Sequence, residues 1–249
     1  MASDIGLDQK FLANDKYQTQ ATLDSIAEWT KVNLMKLNEK KCNYMIFSRS
    51  HTKFTTRLKV NDHKIEQQEI TKLLWIWISQ DMSWTKNCQE ICRKAYSRLS
   101  MITKLKYAGV STEDLLDIYI LFIRSVAEYC AVVFHSSLTQ NEARKLETIQ
   151  KTCLKVILGD MYTSYPAALE MCGLQTLLER REKRCLDFAI KCVKHPKLKK
   201  NFPLNPEIFE HNLRQRETFK VNFAHTSSYR DSAIPYCQRL LNNYINREN

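Results

Sequence analysis

Glycine and proline are scarce, 4 and 5 in 249 residues. All-β domains use both at many tight turns, and phosphate-cradling loops need glycines in series, so neither class fits this chain. No two aspartates are adjacent anywhere. The six histidines are scattered and no Cys-x-x-Cys occurs, so zinc-finger spacing is absent. Cys88 with Cys92, and Cys185 and Cys192 with His195, are spacings a metal might be imagined to use; buried thiols acting as small apolar side chains account for them better. Long hydrophobic runs are missing too. The most apolar window, Leu115 to Phe134, carries Asp117, Arg124 and Glu128, which fall within about 40° of one another on a helix. A buried helix with one polar stripe is expected there, not a membrane span.

Acidic residues are outnumbered, 27 against 38 Lys plus Arg, for a net charge of +11. That balance favours a polyanionic partner, nucleic acid or an anionic membrane surface. The excess is uneven: +2 over residues 1–70, +3 over 71–160 and +6 over 161–249. With 44% hydrophobic and 26% charged residues the chain can build a packed core. Nine cysteines, an odd number, follow an N-terminus without a basic-then-apolar layout or a myristoylation pattern. Reduced thiols and an intracellular location, nuclear or cytoplasmic, with no membrane attachment, are expected.

The periodicity divides the chain into three expected segments: 1–80, helix plus strands; 81–195, a helical array; and 196–249, a basic connector and a last helix. Over Gln20 to Leu37 the apolar positions Leu23, Ile26, Ala27, Val32 and Leu34 follow a helical period, with Trp29 as an anchor. The period then drops to two across Cys42–Phe47, Phe54–Val60 and Lys72–Ser79, with Asn61-Asp62 turning the second strand into a short return, His63–Ile65. Trp75 and Trp77 would share one face of the third strand and pack on the helical layer. Helices are expected near Thr85–Tyr107, Thr112–Phe134, Thr139–Leu158, Tyr165–Met171 and Gln175–His195, punctuated by Gly109, Ser136-Ser137, Gly159 and Gly173. Three prolines with Lys197, Lys199 and Lys200 suggest the connector, and Pro235 opens a final amphipathic helix through Leu240-Leu241 to Ile245. The fold class is α+β and mostly helical: a small antiparallel β piece with a helix, then a helical array.

Three stretches, in order, carry a resemblance. Leu23-Asp-Ser-Ile-Ala-Glu-Trp29 through Asn33–Cys42 to Met45-Ile-Phe47 resembles the segment just after the catalytic Asp-Asp in reverse transcriptases of non-LTR (LINE-type, jockey-like) retrotransposons. Lys72-Leu-Leu-Trp-Ile-Trp-Ile-Ser79 with Asp81-Met-Ser-Trp84 is similar to the strand leading into their thumb, usually Lys-Tyr-Leu-Gly-Val. Lys94-Ala95, Tyr119, Glu128-Tyr129, Leu146-Glu147 with Gln150, Leu174-Gln-Thr-Leu177 and Arg180-Arg181 fit the helices that follow, and Ser228–Asn242 resembles the closing segment. The resemblance covers about residues 20 to 245. It implies the end of a palm, then a thumb and C-terminal extension, of an RNA-directed DNA polymerase.

Such polymerases hold two divalent ions, Mg2+, on aspartates that this chain lacks. Phe11-Leu-Ala-Asn-Asp15 is at best a decayed version of the motif, set too close to Trp29 for the intervening helix. The fingers and the earlier metal-binding aspartate would lie upstream of Met1. The chain is therefore expected to be inactive alone, to take no cofactor, and at most to bind template–primer or target nucleic acid, with the missing polymerase portion as a further partner. Lys41 aligns by resemblance with the lysine that protonates departing pyrophosphate, a role that needs the metal site beside it. Trp75 stands where the family has glycine, which would allow a tight turn or a close approach to primer.

Two cationic faces are the candidate contacts. On the Gln175–His195 wheel Arg180, Lys183, Arg184, Lys191 and Lys194 span an arc of about 100°, interrupted by Asp187, with Leu178, Cys185, Phe188, Ala189 and Cys192 as the buried stripe. Cations at one-turn spacing can follow a phosphate backbone, and Lys197, Lys199 and Lys200 extend the row. Lys86, Arg93, Lys94 and Arg98, with Lys104, form a weaker face that in the family's thumb would steady the template–primer duplex. The same sequence is compatible with a non-catalytic helical interaction or scaffold module in which Phe47, Trp75 and Trp77 form an adhesive patch, and with a decaying element fragment that has no selected role.

Overall fold

A computed structural model of the chain describes residues 16–47, 57–205 and 218–248, with side chains over 19–47, 57–205 and 218–247. The chain divides into two units, Met1–Asn87 and Cys88–Asn249. The first begins with α1 (Lys16–Val32), a helix whose apolar stripe is short. Ala27 and Thr30 are buried, while Trp29, Val32 and Leu34 are 54%, 72% and 96% exposed. The helix thus ends before Leu34, which takes a left-handed conformation (φ 56°), and Trp29 is not the buried anchor expected. Gln20 clamps α1 to β2 (Lys59–Val60), donating to the Lys59 carbonyl at 2.9 Å and accepting from the Lys59 N–H at 3.0 Å.

Strand pairing in this unit is minimal. β1 (Asn43–Tyr44) runs parallel to β4 (Glu66–Gln67), and β2 pairs antiparallel with β3 (His63–Lys64) across the Asn61-Asp62 turn. The β piece is therefore mixed rather than wholly antiparallel. Leu58, Val60 and Ile65 form its small core, against which Leu23, Leu37, Cys42 and Tyr44 pack. The expected Lys72–Ser79 strand is a hairpin: β5 (Ile70–Leu73) and β6 (Ile76–Ser79) pair from Ile70 opposite Ser79 to Leu73 opposite Ile76. Leu74 and Trp75 form the two-residue turn, both left-handed at φ 46° and 69°. Paired left-handed residues match the twist of the flanking strands, but Leu-Trp has none of the Asn-Gly chemistry that announces such a turn. Trp75 is consequently 68% exposed at the tip, with the Lys72 ammonium 3.8 Å from its ring centroid, and does not share a strand face with half-buried Trp77.

The second unit is helical. α2 (Thr85–Tyr107), whose first turn contains the division, buries Cys88, Ile91, Ala95 and Ile102. The expected Thr112–Phe134 helix is divided into α3 (Thr112–Ile118), a π-helical stretch Tyr119–Arg124, α4 (Ser125–Glu128) and α5 (Ala131–Phe134). The wide π turns place Tyr119 and Ile123 wholly inside. Cys130 is left-handed (φ 52°) and breaks the helix between α4 and α5.

α6 (Gln140–Leu158), α7 (Tyr165–Met171) and α8 (Leu177–Lys194) follow, then α9 (Ser227–Arg230) and α10 (Ala233–Glu248). Capping boxes start α6, Thr139 with Glu142, and α8, Thr176 with Glu179. Each satisfies two otherwise orphaned backbone donors. Phe202, Phe219, Cys237 and Leu241 share one core with Cys185, Ala189 and Cys192 of α8. Buried Asn242 holds Phe219 by a two-point clamp, accepting from its N–H at 2.8 Å and donating to its carbonyl at 2.9 Å. Among the described residues no helix is long and apolar enough to cross a membrane.

Candidate nucleic-acid interface

α8 carries most of the candidate cations because its two sides differ so sharply in composition. Leu177, Arg181, Cys185, Ala189 and Cys192 are buried on one side; Lys183, Arg184, Asp187, Lys191 and Lys194 are exposed on the other. Leu178, expected in the buried stripe, is 45% exposed at the first turn. The five stripe cations then separate into two groups.

Arg180 and Arg184 are held by Glu128, whose side chain is only 3% exposed. Arg180 donates through Nε and Nη2, the latter at 3.1 Å, and Arg184 donates through Nη2 at 2.6 Å. Arg124, one turn before Glu128, places its Nε 3.9 Å from the same carboxylate. The polar stripe expected on the Leu115–Phe134 segment is thus the seat for the α8 arginines. Burial alone would raise the Glu128 carboxyl; the hydrogen bonds from Arg180 and Arg184 outweigh it and hold it below the ordinary range. Burial, then the neighbouring Arg180 charge, lower Arg124, while the bond to Glu128 raises Arg180. Three guanidiniums against one carboxylate leave the hub with two uncompensated positive charges. Such a site attracts an oxyanion.

Lys183, Lys191 and Lys194 form the second group, continued by Lys197, Lys199 and Lys200 around the 3₁₀ turn Lys199–Asn201. All six are exposed, and none has a carboxylate partner among the described residues. Lys191 and Lys194 also lie in the last turn of α8, where the helix dipole favours cations.

The α2 face does not come together in the same way. Lys86, in the first unit, sits with its ammonium 5.3 Å from the Trp77 ring centroid. Arg93 is paired with Glu90 at 3.0 Å and Lys94 is half-buried. Arg98 donates to the Phe122 carbonyl, and nearby Lys106 donates to the Val156 and Ile157 carbonyls at 2.6 and 3.1 Å. Lys104 is exposed in the last turn. Lys41 is exposed in the 3₁₀ turn Glu39–Lys41.

Several residues quoted for the family resemblance meet one another. Tyr119 donates to Gln150 Oε1 at 2.6 Å; Gln150 Nε2 donates to the Tyr165 hydroxyl at 2.9 Å and to the Gln175 carbonyl at 3.0 Å. Tyr165 donates in turn to Glu147, whose carboxylate accepts the first free N–H groups of α8, from Leu177 at 3.1 Å and Leu178 at 3.2 Å. The network fixes where α8 begins, and burial pushes the Tyr119 and Tyr165 hydroxyls well above the usual tyrosine range.

Arg181 was hidden in the wheel. It is fully buried, its Nε donates to His135 Nδ1 at 3.4 Å, and its Nη1 and Nη2 make no hydrogen bond among the described residues. His135 Nε2 lies 3.3 Å from the Tyr236 hydroxyl, which links α8 to α10. Burial, helped by the Arg181 charge, pulls the imidazole down to about 4. The position of Arg181 at i+4 from Leu177 and i−4 from Cys185, within an otherwise apolar row, was the available signal.

Cys88 and Cys153 are pushed up to about 12 chiefly by burial, which makes them packing groups rather than nucleophiles. Among the described residues no three His, Cys, Asp or Glu side chains are grouped to hold a metal ion. Phe11–Asp15 lies outside the described residues. Comparison with family models, with curated proteins and with solved structures gives no match to this chain.

Proposed function

We propose that this chain binds nucleic acid along its phosphate backbone, as the thumb and C-terminal extension of a non-LTR retrotransposon reverse transcriptase, without phosphoryl-transfer chemistry of its own. The observation that carries this is the run of six exposed lysines, Lys183, Lys191, Lys194, Lys197, Lys199 and Lys200, on α8 and its continuation, none paired with a carboxylate among the described residues. Cations so placed exchange condensed counterions for contacts with phosphate and need no complete active site. Two further observations support the retroelement assignment. The left-handed turn at Trp75 falls where the resembled motif has glycine, and Tyr119, Glu128, Glu147, Gln150 and Arg180 are tied into the frame that holds α8.

The test is Lys191→Glu with Lys194→Glu, two exposed positions whose change leaves the hub intact. Binding to a duplex and to a single strand should weaken by similar factors whatever the sequence, and the slope of log K against log salt should fall by about 2. Unchanged affinity and slope would remove the proposal.

A second reading rests on a different surface. Leu34, Trp75 and Phe47 are 96%, 68% and 54% exposed on the first unit, as an apolar interaction module would have them. Light scattering separates the two: association of this kind persists in high salt, whereas nucleic-acid binding does not.

A further inference from the structure

Resting on the nucleic-acid reading above, we propose that the arginine hub recognises a terminal phosphate of a nucleic-acid strand whose backbone then follows the lysines along α8. The hub is a convergence of donors on one acceptor. Glu128, its side chain 3% exposed, receives Arg180 Nη2 and Arg184 Nη2 on the same oxygen, Oε2, at 3.1 and 2.6 Å. Arg124 Nε lies 3.9 Å from Oε1. A guanidinium carries five N–H donors and a carboxylate about four acceptor sites, so one carboxylate cannot engage three guanidiniums fully. The surplus is visible atom by atom. Arg180 Nη1, and Arg184 Nε and Nη1, have no partner among the described residues, and Arg124 makes no hydrogen bond to them although its side chain is only 13% exposed.

Arg184 is the group a ligand reaches first. Its side chain is half exposed and that of Arg180 is 26% exposed, with Glu128 enclosed beneath them. Because Glu128 fixes Arg184 Nη2, the guanidinium is oriented before a ligand arrives, and two of its nitrogens remain for phosphate oxygens.

Charge selects the group that fills the hub. Its two uncompensated positive charges match a phosphate monoester, which carries about −1.5 to −2 near neutral pH. A backbone phosphodiester or a peptide carboxylate carries one charge and leaves the rest unanswered. A phosphopeptide would bring the same monoester, and the continuation of the face favours a strand end instead. Lys191 and Lys194 follow Arg184 on the exposed side of α8, about 10 and 15 Å further along the axis, and Lys197, Lys199 and Lys200 come next. An end seated at Arg184 therefore lays its diesters beside lysines, point charges that suit a flexible backbone.

Fluorescence polarisation of the full chain tests this with an internally labelled single strand of about twenty nucleotides bearing a 5′-phosphate, a 3′-phosphate or hydroxyls at both ends. A phosphorylated end should bind about 10-fold tighter than the hydroxyl-ended strand, and which end does so gives the direction of the strand along α8. Arg184→Gln should bring that ratio to about 1, and Arg184→Lys, which keeps the charge and loses the fork, to less than about 3. Lys191→Glu with Lys194→Glu should weaken all three strands and leave the ratio at about 10. Far-UV circular dichroism of each variant checks that the helices remain intact. If the wild-type chain binds all three strands equally, or Arg184→Gln leaves the ratio unchanged, the terminal-phosphate proposal is wrong while the backbone reading stands. A phosphoserine peptide that binds as tightly as the phosphate-ended strand would overturn the assignment to a strand end. If no strand binds, both are wrong.

Discussion

The two units handle left-handed backbone in opposite ways. Among the described residues seven non-glycine positions have positive φ, and six of them, Leu34, Asn61, Asp62, Leu74, Trp75 and Met82, are in the first unit. The second unit has Cys130 alone and otherwise places glycine, at Gly109, Gly159 and Gly173. Their cores differ in the same sense. The first unit gathers Leu58, Val60 and Ile65; the second buries whole side chains as large as Tyr119, Phe134 and Arg181 and satisfies most of its interior polar groups through networks. At Leu34, Leu74, Trp75 and Met82 the first unit holds residues in a conformation that they disfavour, which the second unit does among its described residues at Cys130 alone. Amide hydrogen exchange should therefore release β5 and β6 well before α6 and α8.

Removing the carboxylate at the centre of the stronger unit should break that ordering most. Glu128→Ala leaves Arg124, Arg180 and Arg184 facing one another around a buried vacancy, and we expect a loss of about 3–4 kcal/mol in urea unfolding. The exposed Glu66→Ala of the first unit should change stability by less than about 0.5 kcal/mol. Equal effects would mean that the hub is solvated and contributes no more than a surface ion pair.

Acid should weaken the second unit next. Burial, helped by the Arg181 charge, lowers the folded pKa of His135 from the ordinary 6.5 to about 4, so the unfolded chain takes up the proton first. Its contribution is complete above pH 6.5 and declines as pH falls from there toward 4, by on the order of 3 kcal/mol in total. Glu128, whose folded pKa is depressed, adds a further loss as pH falls below the ordinary carboxylate range. His135→Gln should flatten the decline between pH 6.5 and 4 when unfolding free energy is measured by denaturant titration at several pH values. A wild-type profile already flat in that window would show that the ring is hydrated.

The helices of the second unit were legible because their signals are local. Thr139 with Glu142 and Thr176 with Glu179 mark starts, the turns at Gly109 and Gly173 follow α2 and α7, and the expected bounds of α2 and α7 coincide with the observed ones. What was not legible depends on a second element. The wheel placed Arg180 and Arg184 on the exposed face of α8, but Glu128, 52 and 56 residues away, decides that they are partly enclosed. Two polar stripes on distant helices each look solvated until the fold brings them together. Arg181 sits in an apolar row that no propensity favours for arginine, and the π turns and the break at Cys130 arise from packing that apolarity alone does not encode. The cationic face of α8 was accordingly half visible: its lysines are exposed, as a polar face of the wheel should be, and Arg180 and Arg184 are bonded to Glu128.

The smallest effect concerns the turn that the sequence hid. Leu74 and Trp75 occupy positions where side chains with a Cβ are disfavoured, each by roughly 1 kcal/mol. The Lys72 ammonium over the indole, 3.8 Å from its centroid, offsets part of this, about 0.5–1 kcal/mol at an exposed site. Leu74→Asn with Trp75→Gly installs the residues that a two-residue hairpin turn favours and gives up that contact, so the net gain should be on the order of 1 kcal/mol. Exchange of the β5 and β6 amides should slow by about 5-fold with that of α6 unchanged, which narrows the gap between the units. Faster exchange would mean that the indole and Lys72 hold the hairpin more strongly than the strained turn opens it. Trp75 would then be the reason that this chain keeps a tight turn without glycine.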